Sequence, residues 1–493
     1  MQHAALRVPL VLSPERDPVA NREVDDPRLH IQSTNELDTD RRARPTRAPR
    51  DITVTRRAKA LGVWTGLALV VGNMVGASAY LLPATLATWG PISIVGWLVA
   101  AAGALCLAHV YARLGRLMPA QGGHYAYTRE AFGDFPAFLV AWGYWTSCWI
   151  GNASIATAAV GYLTAFVPVV GASPAITAAT ALTVLWLFTA VNIWGLREAA
   201  LVQLVTTIVK ILPLVAIATL GLLAIDPANL TPLNASAESN LGAITAASVF
   251  ALWSIMGFES CTVPANEVDD PQRTIPLATM LGTVVTVGIY VLSSLVVMGV
   301  MSATELRIST MPAADAAARM WGSWGGTAVA AGATIAGLGV LNGWVLMQGQ
   351  MPLAPARDGL FPKAFGRLSS RGTPTFGLFV SSALCTALVA ANYTRGLLGL
   401  FEFTLLLATV TVLVPYAFTS VAHIVLIRRD PARWGGPDAN RAMVVSVFAF
   451  AFSGLAIFWS GRGPMFWGVV AMAMGVPLYV WSVRTGGREG TRA

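Results

Sequence analysis

The stretch VVGNMVGASAYLLPA, residues Val70 to Ala84, interrupts an otherwise apolar run from about Leu61 to Trp89. An asparagine, two glycines, a serine and a proline weaken a helix or bare its polar backbone, and hydrocarbon offers no water to repair the loss. Either the segment does not span a membrane, or its backbone is broken around a cavity.

The rest of the chain selects the second reading. It has 493 residues, 55% of them hydrophobic and 12% charged, and a mean hydropathy of +0.61. Soluble domains carry roughly twice that charged fraction. Of the 33 basic and 25 acidic residues, 21 fall in the first 60 positions, so the remainder is poorer still in charge. Apolar runs of about 18 or more residues, the length that crosses a bilayer, number twelve: roughly 61–85, 91–112, 134–166, 174–195, 199–224, 243–265, 276–301, 324–348, 374–391, 398–426, 442–460 and 464–483. The expected fold class is an all-α polytopic membrane protein with 12 transmembrane helices. The third and tenth runs are long enough to require tilt or protrusion.

With the N-terminus inside, the cytoplasmic loops hold Arg113, Arg116, Arg129, Arg197, Arg273, Arg357, Lys363, Arg367, Arg371, Arg428, Arg429, Arg433 and Arg441. The outer loops then hold only Arg307, Arg319, Arg395 and Arg462. This asymmetry places both termini in the cytoplasm. It also accounts for the net charge of +8, and no basic, aromatic-interleaved patch points to nucleic acid. Residues 1–58 mix Arg with Asp, Glu and Pro and are expected to be a disordered cytoplasmic tail, followed by the twelve-helix domain over 59–484 and a short tail over 485–493. Cys106, Cys148, Cys261 and Cys385 lie within or beside apolar runs without metal-ligand spacing and read as packing residues.

A weak internal repeat appears. The first run holds NMVGAS (Asn73–Ser78) and the sixth holds SIMGFES (Ser254–Ser260). An offset of five helices gives the two segments opposite directions in the membrane. Interrupted helices at matching positions of inverted halves are the sequence pointer to a transporter binding site. The plainer alternative, glycines that only permit close helix packing, leaves Asn73 and Glu259 without a purpose.

These residues resemble the amino acid–polyamine–organocation (APC) transporters, and within them the basic amino acid/polyamine antiporter branch. The matching stretches are GNMVGASAYLLPA, PAQGGHYAYTREAFG (119–133), YWTSCWIGN (144–152), LWSIMGFES (252–260), LNGWVLMQGQ (341–350) and LVPYAFT (413–419). The resemblance implies a LeuT-like inverted repeat of five plus five helices with helices 1 and 6 unwound, plus two extra helices. The repeats would run over about 61–224 and 243–426, and the extra helices over about 442–483.

Residue roles follow from the same resemblance. Backbone amides at Gly76, Ala77 and Ser78 would hold the substrate carboxylate, as the N-terminus of a half-helix can. Carbonyls around Trp253 and Met256 would take the α-ammonium. Trp344 would stack on the cationic end of the substrate, a contact worth about 2 kcal/mol when desolvated. Asn152, Ser147 and Cys148 would form the polar end of the side-chain pocket, and Asn73 would lie near the substrate. Trp253, Tyr144 and Tyr416 would be gates. Compared with the arginine/agmatine-exchanging members, Ala77–Ser78 replaces Ser-Gly, Ala408 replaces a serine, and Ser147 replaces an alanine, so the hydroxyls of the pocket are redistributed.

Lys210 lies about ten residues into the fifth run. Snorkelling would leave its stem short of water, and an intramembrane charge is functional by default. The resemblance to proton-coupled relatives implies that its ammonium replaces a sodium ion and links helices one, five and eight. Glu259 is either the proton-sensing glutamate of the branch or a cap for the broken helix. His3, His30, His109, His124 and His423 have no paired carboxylate at a useful spacing and suggest no role. Trp89, Trp97, Trp321 and Trp467 read as interfacial or packing residues.

The expected function is an inner-membrane amino acid permease working by alternating access, an exchanger of cationic amino acids or their decarboxylated amines. The alternatives are proton-coupled or facilitated transport of a neutral amino acid, and a non-transporting amino acid sensor. No set of converging nucleophiles, acids or metal ligands suggests an enzyme, and neither metal nor cofactor is expected. The partners are a small-molecule substrate and the bilayer, with room for a homodimer.

Overall fold

The computed structural model describes residues 61–487; the expected tail over 1–58 and most of the one over 485–493 lie outside them. The described chain is helical: α1 (Val63–Met74), α2 (Ser78–Leu86), α3 (Ser93–Leu117), α4 (His124–Phe132), α5 (Asp134–Leu163), α6 (Pro174–Trp194), α7 (Leu196–Leu220), α8 (Asn240–Ile255), α9 (Pro271–Val300), α10 (Ala303–Ile308), α11 (Pro312–Trp321), α12 (Ser323–Gln350), α13 (Leu353–Arg357), α14 (Thr375–Asn392), α15 (Gly396–Arg429), α16 (Ala439–Trp459), α17 (Arg462–Ala473) and α18 (Gly475–Gly487). A single residue bridge, Leu61 to Val268, ties the start of α1 to the segment after α8.

Among the described residues, ten helical stretches are long and apolar enough to cross a membrane. They coincide with ten of the twelve expected runs. The third run is α5, 30 residues long, whose bulk is Trp142, Tyr144, Trp145 and Trp149 among Gly, Ser and Asn, so its mean hydropathy is low despite its length. The sixth run departs from an uninterrupted span: α8 has 16 residues and gives way to turns over 256–264. At 1.5 Å per residue α5 is about 45 Å long and α15 about 51 Å, both beyond a hydrocarbon core of about 30 Å.

The bundle exposes apolar side chains and buries its polar ones within an apolar core, and α7 shows how. Leu201, Val205, Ile208 and Leu212 form one exposed face, whereas Gln203, Thr207, Lys210 and Leu214 are buried on the other. Lipid solvates the first set; only other helices can satisfy the second.

Both expected interruptions are present. Val75 is extended (φ −78°, ψ 98°) between α1 and α2, and Met256 is extended (φ −63°, ψ 142°) after α8. The two breaks touch. Gly257 adopts φ +117°, and a Cβ there would meet the Asn73 backbone carbon at 3.0 Å and its Cβ at 3.1 Å. Left-handed backbone and the absence of a side chain are both required at that point.

Candidate functional site

A helix that stops inside a membrane leaves its last carbonyls without intrahelical donors. At the end of α1 each is taken by a side chain from a different helix. Lys210 Nζ donates to Gly72 O at 2.6 Å, Trp344 Nε1 to Asn73 O at 3.1 Å and Tyr290 Oη to Met74 O at 2.8 Å. The break is therefore built from α7, α12 and α9 together. Lys210 is fully buried. Its Nζ lies 3.4 Å from where a Cβ on Gly339 of α12 would stand, so it sits among the three helices expected of it.

Beyond the break, α2 begins at Ser78 with Ala77 as its N-cap. The N–H groups of these two residues stand outside the helical ladder, at the positive end of the half-helix. Across from them α8 ends at Ile255, presenting a carbonyl end. Between the two ends lies a cavity of about 50 Å³. It is lined by ten of the expected residues: Asn73, Gly76, Ala77, Ser78, Ser147, Cys148, Trp253, Met256, Trp344 and Ala408. No lining residue is acidic or basic.

Asn152 does not line the cavity. It is buried, and its Nδ2 donates to Gln348 Oε1 at 2.8 Å, within a chain that continues through Ser382. The remaining lining residues were not foreseen: Met74, Gly151, Ser154, Ile155, Ala158, Val340 and Val412. Helical spacing could have found them. Residues 151, 154, 155 and 158 continue the face of Ser147, Val340 precedes Trp344 by one turn, and Val412 follows Ala408 by one turn. Tyr290 carried no comparable sequence signal.

The two tyrosines expected to gate do not line the cavity either. Tyr144 is buried, with its ring 6.2 Å from that of Trp344 and its hydroxyl donating to Glu259 Oε1 at 2.8 Å. The other carboxylate oxygen of Glu259 accepts from Gly257 N at 3.3 Å, the contact a cap of the broken helix would make. Tyr416 packs against Phe258 at 5.0 Å and Tyr111 at 5.9 Å. His124 of α4 joins this buried layer, its ring 4.1 Å from that of Tyr144. The aromatic layer lies buried beside α4. Outside it, Arg129 pairs with Asp134 at 2.7 Å and Asp358 at 2.6 Å.

The four cysteines are free, and among the described residues no group of three His, Cys, Asp or Glu side chains could hold a metal ion.

Two broken helices facing one cavity inside a lipid-exposed helical bundle define a multi-pass membrane carrier for a small molecule. An amino acid permease family model matches residues 61–478, and the chain belongs to that family. The cadaverine/lysine antiporter of Escherichia coli K12 is 36% identical over 335 residues, 67% of this chain and 74% of that protein. The putrescine transporter PotE of the same strain is 30% identical over 432 residues, 86% of this chain and 96% of its own. Its namesake from Haemophilus influenzae is 29% identical over 428 residues, 86% of this chain and 98% of its own.

Proposed function

We propose that the protein is an exchanger of cationic amino acids and their decarboxylated amines, of the lysine/cadaverine, ornithine/putrescine or arginine/agmatine kind. One observation carries the reading: the positive end of α2 and the carbonyl end of α8 line the same cavity, with Trp253 and Trp344 in its wall. A zwitterionic head group fits between opposite helix ends. A cationic tail in a cavity without carboxylates is recognised by aromatic faces and hydroxyls. The relatives that exchange cadaverine for lysine or carry putrescine support that substrate class.

In this reading Gly76, Ala77 and Ser78 bind carboxylate, Trp253 and Met256 carbonyls bind ammonium, and Trp344 stacks on the cationic tail. Ser147, Cys148 and Ala408 line the tail pocket, with Asn152 supporting it from behind. Trp253, Tyr144 and Tyr416 act as gates, and Glu259 couples proton uptake to movement of Tyr144. Residues 61–224 and 243–426 form the inverted repeats, each opened by a broken helix. The protein resides in the inner membrane with both termini cytoplasmic, and it performs no chemistry on its cargo.

The test uses purified protein in liposomes preloaded with lysine, arginine, cadaverine, putrescine or leucine, with uptake of labelled lysine followed at two pH values. The expected result is at least tenfold stimulation by a cationic internal substrate and none by leucine. Equal stimulation by leucine would overturn the cationic reading in favour of neutral amino acid exchange.

A further inference from the structure

Gln203 of α7 stands at the centre of a buried amide chain of which the cavity argument uses only Asn73. Asn192 Nδ2 donates to Asn342 Oδ1 at 3.2 Å. Asn342 Nδ2 donates to Gln203 Oε1 at 3.2 Å and to Ala199 O at 3.0 Å. Gln203 Nε2 donates to Asn73 Oδ1 at 3.2 Å, and Asn73 Nδ2 donates to Ser260 Oγ at 2.8 Å. All five side chains are buried. The donors all point one way, from α6 through α12 and α7 to the break after α1 and on to the segment after α8. Aligned bonds of this kind polarise one another in a low dielectric.

Two glycines make room for the chain. A Cβ on Gly343 would collide with Asn73 Oδ1 and lie 2.8 Å from Gln203 Nε2, and one on Gly72 would collide with the Gln203 amide. Asn73 also lines the cavity, and its carbonyl receives the Trp344 indole N–H. Whatever holds the Asn73 side chain therefore sets the position of both breaks and of the indole at the cavity wall.

We propose that Gln203 is a positioning residue of the transport cycle: it reads the displacement of the α1 break and transmits it to α12 and α6. Its amide is the one group in the chain that bonds a cavity residue on one side and the scaffold on the other. Only a group that donates to Asn73 and accepts from Asn342 can serve. Leucine does neither. A protonated glutamic acid does both, and an ionised glutamate cannot donate.

The inference rests on the transporter reading for its assay, and the parent protein measured alongside separates failure of that reading from failure of this one. Q203L and Q203E are reconstituted in liposomes, and lysine/cadaverine exchange at saturation is compared with lysine affinity measured by calorimetry in detergent. Q203L is expected to lose at least tenfold in turnover while affinity stays within threefold. Q203E is expected to recover to within threefold of the parent at pH 5, with the recovery fading towards pH 9 as the buried acid ionises; the charged group facing it is Lys210, whose Nζ bonds Gly72 O beside the Gln203 amide. Full turnover in Q203L, or a Q203E as slow at pH 5 as Q203L, would overturn the proposal. So would an affinity loss in Q203L as large as its turnover loss. If Q203L does not insert, Q203E decides alone: the same turnover relative to the parent at pH 5 and pH 9 overturns the proposal. Should the parent exchange neither substrate, the same two pH values applied to Q203E thermal stability decide, an unchanged stability overturning the amide chain.

Discussion

Replacing Lys210 by methionine keeps most of the buried volume and removes the donor that meets Gly72 O at 2.6 Å. A hydrogen bond from a charged group contributes about 1.5–3 kcal/mol net, and about 1.4 kcal/mol corresponds to tenfold in an equilibrium. Gly72 is the last turn of α1, next to the break that must shift when the cavity changes sides. If the bond exists in the access state seen here and not in the other, its loss displaces that equilibrium by about 10- to 150-fold. The N-terminus of α2, formed by other residues, stays intact. K210M is therefore expected to reduce turnover at saturation by about tenfold or more while apparent lysine affinity changes less than about threefold. Lys210→Ala should be worse, because it adds a void of several methylenes to the lost bond. Both are measured in the same liposomes as the parent. An affinity loss of about two orders of magnitude with unchanged turnover would place Lys210 at the substrate and refute the reasoning.

Trp344→Leu removes both the aromatic face and the N–H that holds Asn73 O, and a desolvated cation–π contact of about 2 kcal/mol predicts a lysine affinity about 30-fold weaker by calorimetry. Normal affinity would exclude the stacking role. Exchange is expected to be unchanged when sodium is replaced by choline at constant pH, since Lys210 Nζ already occupies the carbonyl a cation would need; uptake that vanishes in choline would refute this. Gly343→Ala should lower the melting temperature in detergent, because its methyl group collides with Asn73 Oδ1 and overpacking of a filled core costs about 1–3 kcal/mol. A variant as stable as the parent would show that the Asn73 side chain has somewhere else to go.

The broken helices were legible because the polar and glycine residues that break them are contiguous: Asn73 to Ser78, and Ser254 to Ser260. Glu259 lies in the second of these stretches, and Trp344 was singled out by a separate one, LNGWVLMQGQ over 341–350, through the family resemblance. Gln203 and Asn342 were not, since a lone buried amide gives no local pattern and their contact joins positions 139 residues apart. Tyr290 is hidden likewise inside a long apolar run. Asn152 shows the limit of a matched motif. It follows Gly151, which lines the cavity, but one residue along a helix is a rotation of about 100°, enough to turn its amide to Gln348. His124 was passed over because no carboxylate stands near it in sequence; the fold brings it to Tyr144, which bonds Glu259.

The neutrality of the cavity wall has an electrical consequence. Charges fixed in a carrier return to their starting place over a full cycle, and with no acidic or basic side chain lining the cavity, none in the wall exchanges a proton with the cargo as it crosses. An amino acid with a cationic side chain carries a single net positive charge, and its decarboxylated diamine carries two. Exchanging one for the other moves an elementary charge through the membrane on every cycle. At about 2.3 kcal/mol per 100 mV, a resting potential would oppose export of the diamine, and the gradients sustained by the exchanger would follow the voltage across the membrane as well as the concentrations on its two sides.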